Sequence, residues 1–391
     1  MHVAPPPRLA VVVTHPIQYY TPWYRQIAAT GAVALRVFFL SDHGVRPALD
    51  RQFGQAFAWD TDLLAGFEHE FVPNASTVPD VSRFGGLHNP TLRARLRVWE
   101  PDAVLLFGYA YRPHLSLLTR PPAPVIFRGD SHLLAGPPPS LLKRLALRTV
   151  YSRCTAFLPV GTANEAYFRR FGVPESRCFR APHCVDATHF RVTPGRLAEA
   201  AALRASLGIP PEAKVVLFAG KFIAKKRPDL LLAAFRAAAV PDTHLVLAGD
   251  GELAATLRDA ARGLAQVHFL PFANQQSMPA RYLLGDIFAL PSQGRFETWG
   301  LAVNEAMHLG RPALVSDHVG CHPDLIQPDR TGWVFPARDV DALAAALRSA
   351  LSLPRSELQL RGAAAQHRIA DYSYERATAG LLRALAFVRA S

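Results

Sequence analysis

Short apolar runs recur along the chain, each closed by Gly, Pro, Asp or Ser and followed by a longer stretch with helical spacing. This alternation predicts βα units around parallel sheets, because a strand covered by helices on both faces reads as an unbroken apolar run. Six strands are predicted in the first half, near positions 9–14, 35–40, 103–108, 125–128, 156–160 and 178–181. Six more are predicted in the second, near 214–219, 244–248, 267–270, 287–290, 313–316 and 333–335. The stretch 186–211 between them carries Pro194, Gly195 and a short Ala-rich helical pattern without a strand, and reads as the linker. Near the end, Leu381, Leu382, Leu385 and Phe387 fall at roughly helical spacing and predict a terminal helix that buries one face against the first unit. The expected organisation is an α/β chain of two Rossmann-like, doubly wound domains, 1–190 and 191–371, facing a central cleft, with 372–391 crossing back. In such sheets ligands bind beyond the carboxyl ends of the strands, so chemistry is expected in the loops just after them.

Composition narrows this picture. With 391 residues and 50% hydrophobic content, the chain can bury two cores of ordinary size. Its longest apolar runs are strand-length, well short of the ~20 residues that span a bilayer. The N-terminus has one arginine before a short apolar run and lacks a long export-signal core, so a cytoplasmic location is expected. Cys154, Cys178, Cys184 and Cys321 lack metal-ligand spacing and are read as reduced and structural. The net charge of +12 is positive in both halves and implies an anionic partner. Nucleotide diphosphates and anionic lipid fit; nucleic acid is not expected, since interleaved aromatic and basic motifs are missing.

The most informative segment runs from Pro291 to Ala306, after one predicted strand and into a helix. Its two carboxylates, Glu297 in the loop and Glu305 in the helix, lie eight positions apart and can reach one side of a ligand. Glu297 can accept bonds from sugar hydroxyls and Glu305 from a ribose, while backbone N–H groups around Thr298, Trp299, Gly300 and Leu301 can meet a phosphate at the helix N-terminus. A second segment, Gly220 to Pro228, is a basic turn that carries Lys221, Lys225, Lys226 and Arg227. A Gly249-Asp250-Gly251 turn follows another strand. In the first half, His15, Gln18 and Tyr19 follow the first strand, and Asp130 and His132 follow a later one. Both histidines also have a purely structural reading. The stretch Ser140 to Arg148 is basic and amphipathic; a core-facing helix with a solvated cationic side is favoured over one that lies on an anionic membrane.

Taken together, these segments resemble the retaining glycosyltransferases of family 4, which share the GT-B fold and a Glu-x7-Glu region like Glu297 to Glu305. The resemblance covers nearly the whole chain and is looser in the first half, where His15-Pro16-Ile17-Gln18 stands in place of the family's usual glycine pair. It implies that Lys221 and Lys226 grip a donor diphosphate, with Lys221 replacing a usual Arg and so losing bidentate geometry. It further implies that Glu297, His132 and Asp130 act at the reacting sugar, and that the donor is lined by Gly220, Gly249, Asp250, Thr298, Trp299, Gly300, Leu301 and Glu305. His15, Gln18 and Tyr19 would face the acceptor, a saccharide, a lipid-linked species or a small molecule. No metal or other cofactor is expected, because the two lysines and helix amides can neutralise the leaving group. Asp60-Thr61-Asp62 is accordingly read as a helix N-cap rather than a metal motif. Two rival readings are a nucleotide-sugar epimerase, which needs no acceptor, and a non-catalytic protein that keeps the fold.

Overall fold

The computed structural model describes residues 5–45, 48–50 and 55–390. In chain order the first half forms β1 (Arg8–Val13), β2 (Ala34–Phe39), an antiparallel pair β3 (Ala48–Asp50) and β4 (Gln55–Phe57), then β5 (Glu68–Phe71), β6 (Ala103–Phe107), β7 (Val125–Arg128) and β8 (Ala156–Leu158). Leaving out the small pair, these build a parallel six-stranded sheet in the order β5-β2-β1-β6-β7-β8. The second half forms β9 (Lys214–Ala219), β10 (Thr243–Ala248), β11 (Val267–Leu270), β12 (Ile287–Leu290), β13 (Ala313–Ser316) and β14 (Gly332–Phe335). They pair as β11-β10-β9-β12-β13-β14, so both sheets reverse their winding beside their first strand. At that reversal adjacent connecting loops part to opposite faces and leave a crevice.

Burial explains why these runs became strands. β1 buries Leu9 to Val13 and β9 buries Val215 to Ala219, so neither face of either strand meets water. Their side chains divide between two apolar layers per sheet, as expected when helices cover both faces.

Two expectations for the first half need correction. Residues 178–181 add no strand: Cys178 makes one bridge to Phe157, and Phe179 and Ala181 donate to the carbonyls of Phe157 and Pro159 before the chain leaves for the second domain. The sixth strand is instead β5, whose sequence Glu-His-Glu-Phe carries no apolar run. It is an edge strand that leans on β2 through the backbone and through an Arg36–Glu68 ion pair at 3.0 Å.

The linker holds the helix Pro194–Ser206, started by Thr193, whose side chain accepts from the Arg196 N–H. The terminal helix Tyr374–Ala390 packs on the first domain, as the periodicity predicts: Ala377, Leu381, Ala384 and Leu385 join its core, and Trp23 Nε1 donates to Thr378 Oγ1 at 3.1 Å. A polar bolt fastens the domains behind the cleft. Asp324 of the second domain accepts from the Thr162 N–H and Oγ1, both at 2.8 Å, and thereby caps the helix Thr162–Arg170 of the first, which has no side-chain cap of its own. Arg180 and Tyr372 complete the carboxylate's shell at 3.4 and 3.2 Å.

Candidate active site

A cleft of about 450 Å³ opens between the carboxyl ends of the two sheets. From the second domain it receives the loops after β9, β10 and β12, and from the first the loops after β1 and β7. Gly220 and Gly249 form its floor. At φ +147°, Gly249 occupies backbone space that side chains avoid, and an added Cβ would lie 1.9 Å from the Gly220 carbonyl oxygen, so only glycine lets the two loops touch.

Glu297 stands at the centre, 7% exposed. Its Oε2 meets Lys226 Nζ at 2.5 Å and accepts from Ser292 Oγ at 2.7 Å. Burial pushes its carboxyl toward protonation, yet the Lys226 ammonium, the Ser292 hydroxyl and nearby Lys225 outweigh it and hold the group below its ordinary value. The result is an ionised carboxylate and an ammonium held together in a poorly hydrated cleft. Arg227 is directed elsewhere: it pairs with Asp229 at 3.0 Å and donates to Gln293 Oε1 at 2.8 Å, while Lys225 and Lys226 line the cleft wall with Lys221, and Lys226 pairs with Glu297.

The loop carrying Glu297 is tied from several sides. Gln293 N–H donates to the Lys225 carbonyl at 2.7 Å and Gly294 N–H to His318 Nδ1 at 3.1 Å. Gly300, at φ +99°, turns the chain into the helix Leu301–His308, whose first turn faces the cleft. Asn304, on the inner side of that helix, accepts from Trp299 Nε1 at 2.8 Å and donates to the His183 carbonyl at 3.0 Å.

From the first domain, Asp130 reaches across to accept from Thr298 Oγ1 at 2.7 Å. Burial works against its charge, but His183 and Thr298 keep its carboxyl below the usual range. Glu305, deeper in, accepts from Tyr282 Oη at 2.5 Å and from Tyr19 Oη of the first domain at 2.9 Å. There burial wins and raises the carboxyl to about 7, although both phenols pull the other way.

Among the sequence-predicted residues, the cleft gathers Gly220, Lys221, Lys226, Gly249, Asp130, Gln18 and Tyr19 with the run Glu297 to Leu301 and Glu305. Three are placed outside its lining. His132 spends both ring nitrogens on backbone: Nδ1 accepts from the Leu134 N–H at 3.1 Å, which leaves Nε2 to donate to the Glu297 carbonyl at 3.2 Å. It therefore holds the Glu297 loop from the other domain. Asp250 accepts from the N–H of its own neighbour Gly251 at 2.8 Å. His15 bonds to Thr14 Oγ1 at 2.9 Å and packs edge-on to His43, and burial lowers it to about 4.

The Asp60-Thr61-Asp62 segment opens no helix of its own. Asp62 Oδ1 instead accepts from the N–H groups of Leu64 and Ala65 in a turn, and Asp60 receives the Gln276 N–H from the second domain at 3.2 Å. The helix Leu141–Ser152 faces the core of the first domain with Leu147 and Tyr151, as expected, whereas Leu141 and Leu142 of its first turn are 68% and 80% exposed.

Sequence reasoning missed His183, whose ring lies between Tyr20 and Trp299 with Nε2 3.8 Å from Asp130 Oδ2. It also missed Tyr282 and the apolar end of the cleft formed by Trp59, Phe272 and Met278. These residues carry no motif; a lone histidine after the run 178–181 was the one available signal.

Two Rossmann-like sheets of one winding order, facing each other across a cleft and re-tied by a terminal helix, define the GT-B fold. Comparison with known proteins agrees. Residues 199–368 match the sequence profile of the family described as Glycosyl transferases group 1. A D-inositol 3-phosphate glycosyltransferase of Mycolicibacterium gilvum (strain PYR-GCK) is 34% identical over 214 residues, 51% of this chain and 46% of that protein. The chain thus spans about half the length of the curated relatives it matches. Among solved structures, Anabaena Alr3699/HepE in complex with UDP and glucose superimposes with a TM-score of 0.72 at 15% identity, covering 97% of this chain and 99% of that one. Sucrose-phosphate synthase from Thermosynechococcus elongatus does so with a TM-score of 0.70 at 18% identity, covering 96% and 98%. Both structures share the fold of this chain.

Proposed function

We propose that the protein is a glycosyltransferase that moves a sugar from a nucleoside diphosphate sugar to an acceptor hydroxyl, with retention at the anomeric carbon and without a metal ion. The observation that carries this reading is the Lys226–Glu297 pair in the cleft, at 2.5 Å and set above a floor of two glycines. Breaking a sugar–phosphate bond builds negative charge on the diphosphate and positive character on the anomeric carbon. Lys221, Lys226 and the amides that open the helix Leu301–His308 would stabilise the first. Glu297 would orient the sugar by accepting from its hydroxyls.

In this scheme the acceptor oxygen attacks from the face the diphosphate leaves, and a phosphate oxygen of the leaving group takes the acceptor's proton. No enzymic nucleophile is required. Asp130, anchored by Thr298, would hold the acceptor hydroxyl, and His132 would act only by positioning the Glu297 loop. The similarity of residues 199–368 to group 1 glycosyl transferases supports transfer over epimerisation. That Alr3699/HepE is complexed with UDP and glucose supports a nucleotide sugar as donor.

The exposed leucines of the helix Leu141–Ser152, interleaved with Lys143, Arg144 and Arg148, support peripheral contact with an anionic membrane and a lipid-linked acceptor. Among the described residues no helix is long and apolar enough to cross a membrane. A thermal-shift panel of UDP, GDP, ADP and their sugars, run in EDTA, tests the donor reading: one nucleotide series raises the melting temperature without added metal. A flat panel, or a shift that appears only when Mg²⁺ or Mn²⁺ is restored, contradicts it.

A further inference from the structure

Glu305 is 2% exposed, and each of its oxygens already meets a phenol: Tyr282 Oη at 2.5 Å and Tyr19 Oη at 2.9 Å. Tyr282 belongs to the same domain. Tyr19 does not: it sits in the loop after β1, 286 residues upstream, with its ring packed against the core of the second domain. The sequence places it toward the acceptor, but its hydroxyl reaches the donor side.

An ionised carboxylate offers about four lone-pair directions. Two phenols leave two, one on each oxygen, which is what a pair of adjacent hydroxyls needs. Building on the nucleotide-sugar reading, we propose that Tyr19 completes the ribose subsite: with Tyr282 it fixes Glu305 and reserves its two remaining acceptor directions for the 2′ and 3′ hydroxyls of a ribonucleotide. Tyr19 is then a specificity-determining residue supplied by the first domain to a ligand held by the second.

Two further features agree. The ring alone would pack equally well as phenylalanine, so the hydroxyl, flanked by the side chains of Gln18 and Gln275, has a polar purpose. Burial raises Glu305 to about 7 against the pull of both phenols, so the ionised form predominates above that pH and the titrations below are run at pH 8. A protonated carboxyl would turn one acceptor into a donor and could no longer receive both hydroxyls.

The test is calorimetric titration of wild type and Tyr19→Phe with whichever of UDP, GDP and ADP binds best, and with its 2′,3′-dideoxy form. Wild type is expected to prefer the ribonucleotide by roughly tenfold or more, as for a hydrogen bond to a charged group. Tyr19→Phe should melt within a few degrees of wild type, lose about tenfold in ribonucleotide affinity and keep its 2′,3′-dideoxy affinity, so that selectivity collapses. Tyr282→Phe should act in the same direction. Unchanged or tighter ribonucleotide binding by Tyr19→Phe, with selectivity intact, overturns the proposal. If wild type binds none of the three, the nucleotide-sugar reading itself fails, a different result from binding that ignores Tyr19.

Discussion

At the scale of single residues, the two glutamates of the cleft are of opposite character. Glu297 is held ionised by an ammonium at 2.5 Å, whereas Glu305 is raised to about 7 by burial that two phenols only partly offset. If Glu297 orients the transferred sugar, Glu297→Ala should lower turnover at least ~100-fold while changing donor affinity far less, since the contact strengthens as charge develops. Near-normal turnover in that variant would remove Glu297 from the chemistry. Glu305 has a separate signature in stability. Its folded value of about 7 lies above the usual 4.5, so its contribution is complete below pH 4.5 and is lost as pH rises through 7. Relative to wild type, Glu305→Gln should therefore gain stability across that window, on the order of 3 kcal/mol. Urea unfolding of both proteins at pH 5 and pH 8 reads this directly; parallel curves would mean that the carboxyl is not perturbed.

At the scale of elements, legibility followed burial. All six strands of the second sheet were readable, because runs such as Lys214–Ala219 and Ile287–Leu290 are apolar on both faces. β5 was not, since an edge strand needs only backbone partners and tolerates Glu68, His69 and Glu70. The site followed the same logic. Glu297 and Glu305 follow a strand and could be named from their spacing, and Lys226 from the family resemblance of its segment. The contact of Tyr19 with Glu305 spans 286 residues, and that of Thr162 with Asp324 spans 162, so neither pairing leaves a local trace.

The helix Leu141–Ser152 meets the core with Leu147 and Tyr151, as its amphipathic pattern predicts, but that pattern does not say what its first turn meets. Its N-terminal leucines, Leu141 and Leu142, are mostly exposed. If they rest on an anionic bilayer, the protein should co-sediment with phosphatidylglycerol vesicles, and Leu141→Ser with Leu142→Ser should weaken that binding at least ~10-fold, as loss of two buried apolar side chains implies. Equal binding by the double variant, or none by wild type, would remove the membrane contact.

At the scale of the whole molecule, the two domains are joined by more than the linker and the terminal helix. Asp324 caps a helix of the opposite domain and gathers Arg180 and Tyr372 around one buried carboxylate. Gly161 lets the domains approach there, since a Cβ would fall 2.3 Å from the Trp299 ring. Asp324→Ala removes a cap and takes the partner from the buried Tyr372 hydroxyl, and should cost about 2–4 kcal/mol in urea unfolding. A loss under ~0.5 kcal/mol would show that the bolt carries no load.

The cleft that these joints hold in register is the core of the functional account, and its cation is the simplest handle on it. Calorimetric titration of wild type and Lys226→Ala with UDP, GDP and ADP asks whether the Lys226 ammonium at the cleft centre binds a diphosphate. One nucleoside diphosphate should bind wild type and lose at least ~10-fold in affinity in the variant, the range expected for a charge-assisted contact. Equal affinity in both proteins, or no binding of any of the three to wild type, would contradict the account.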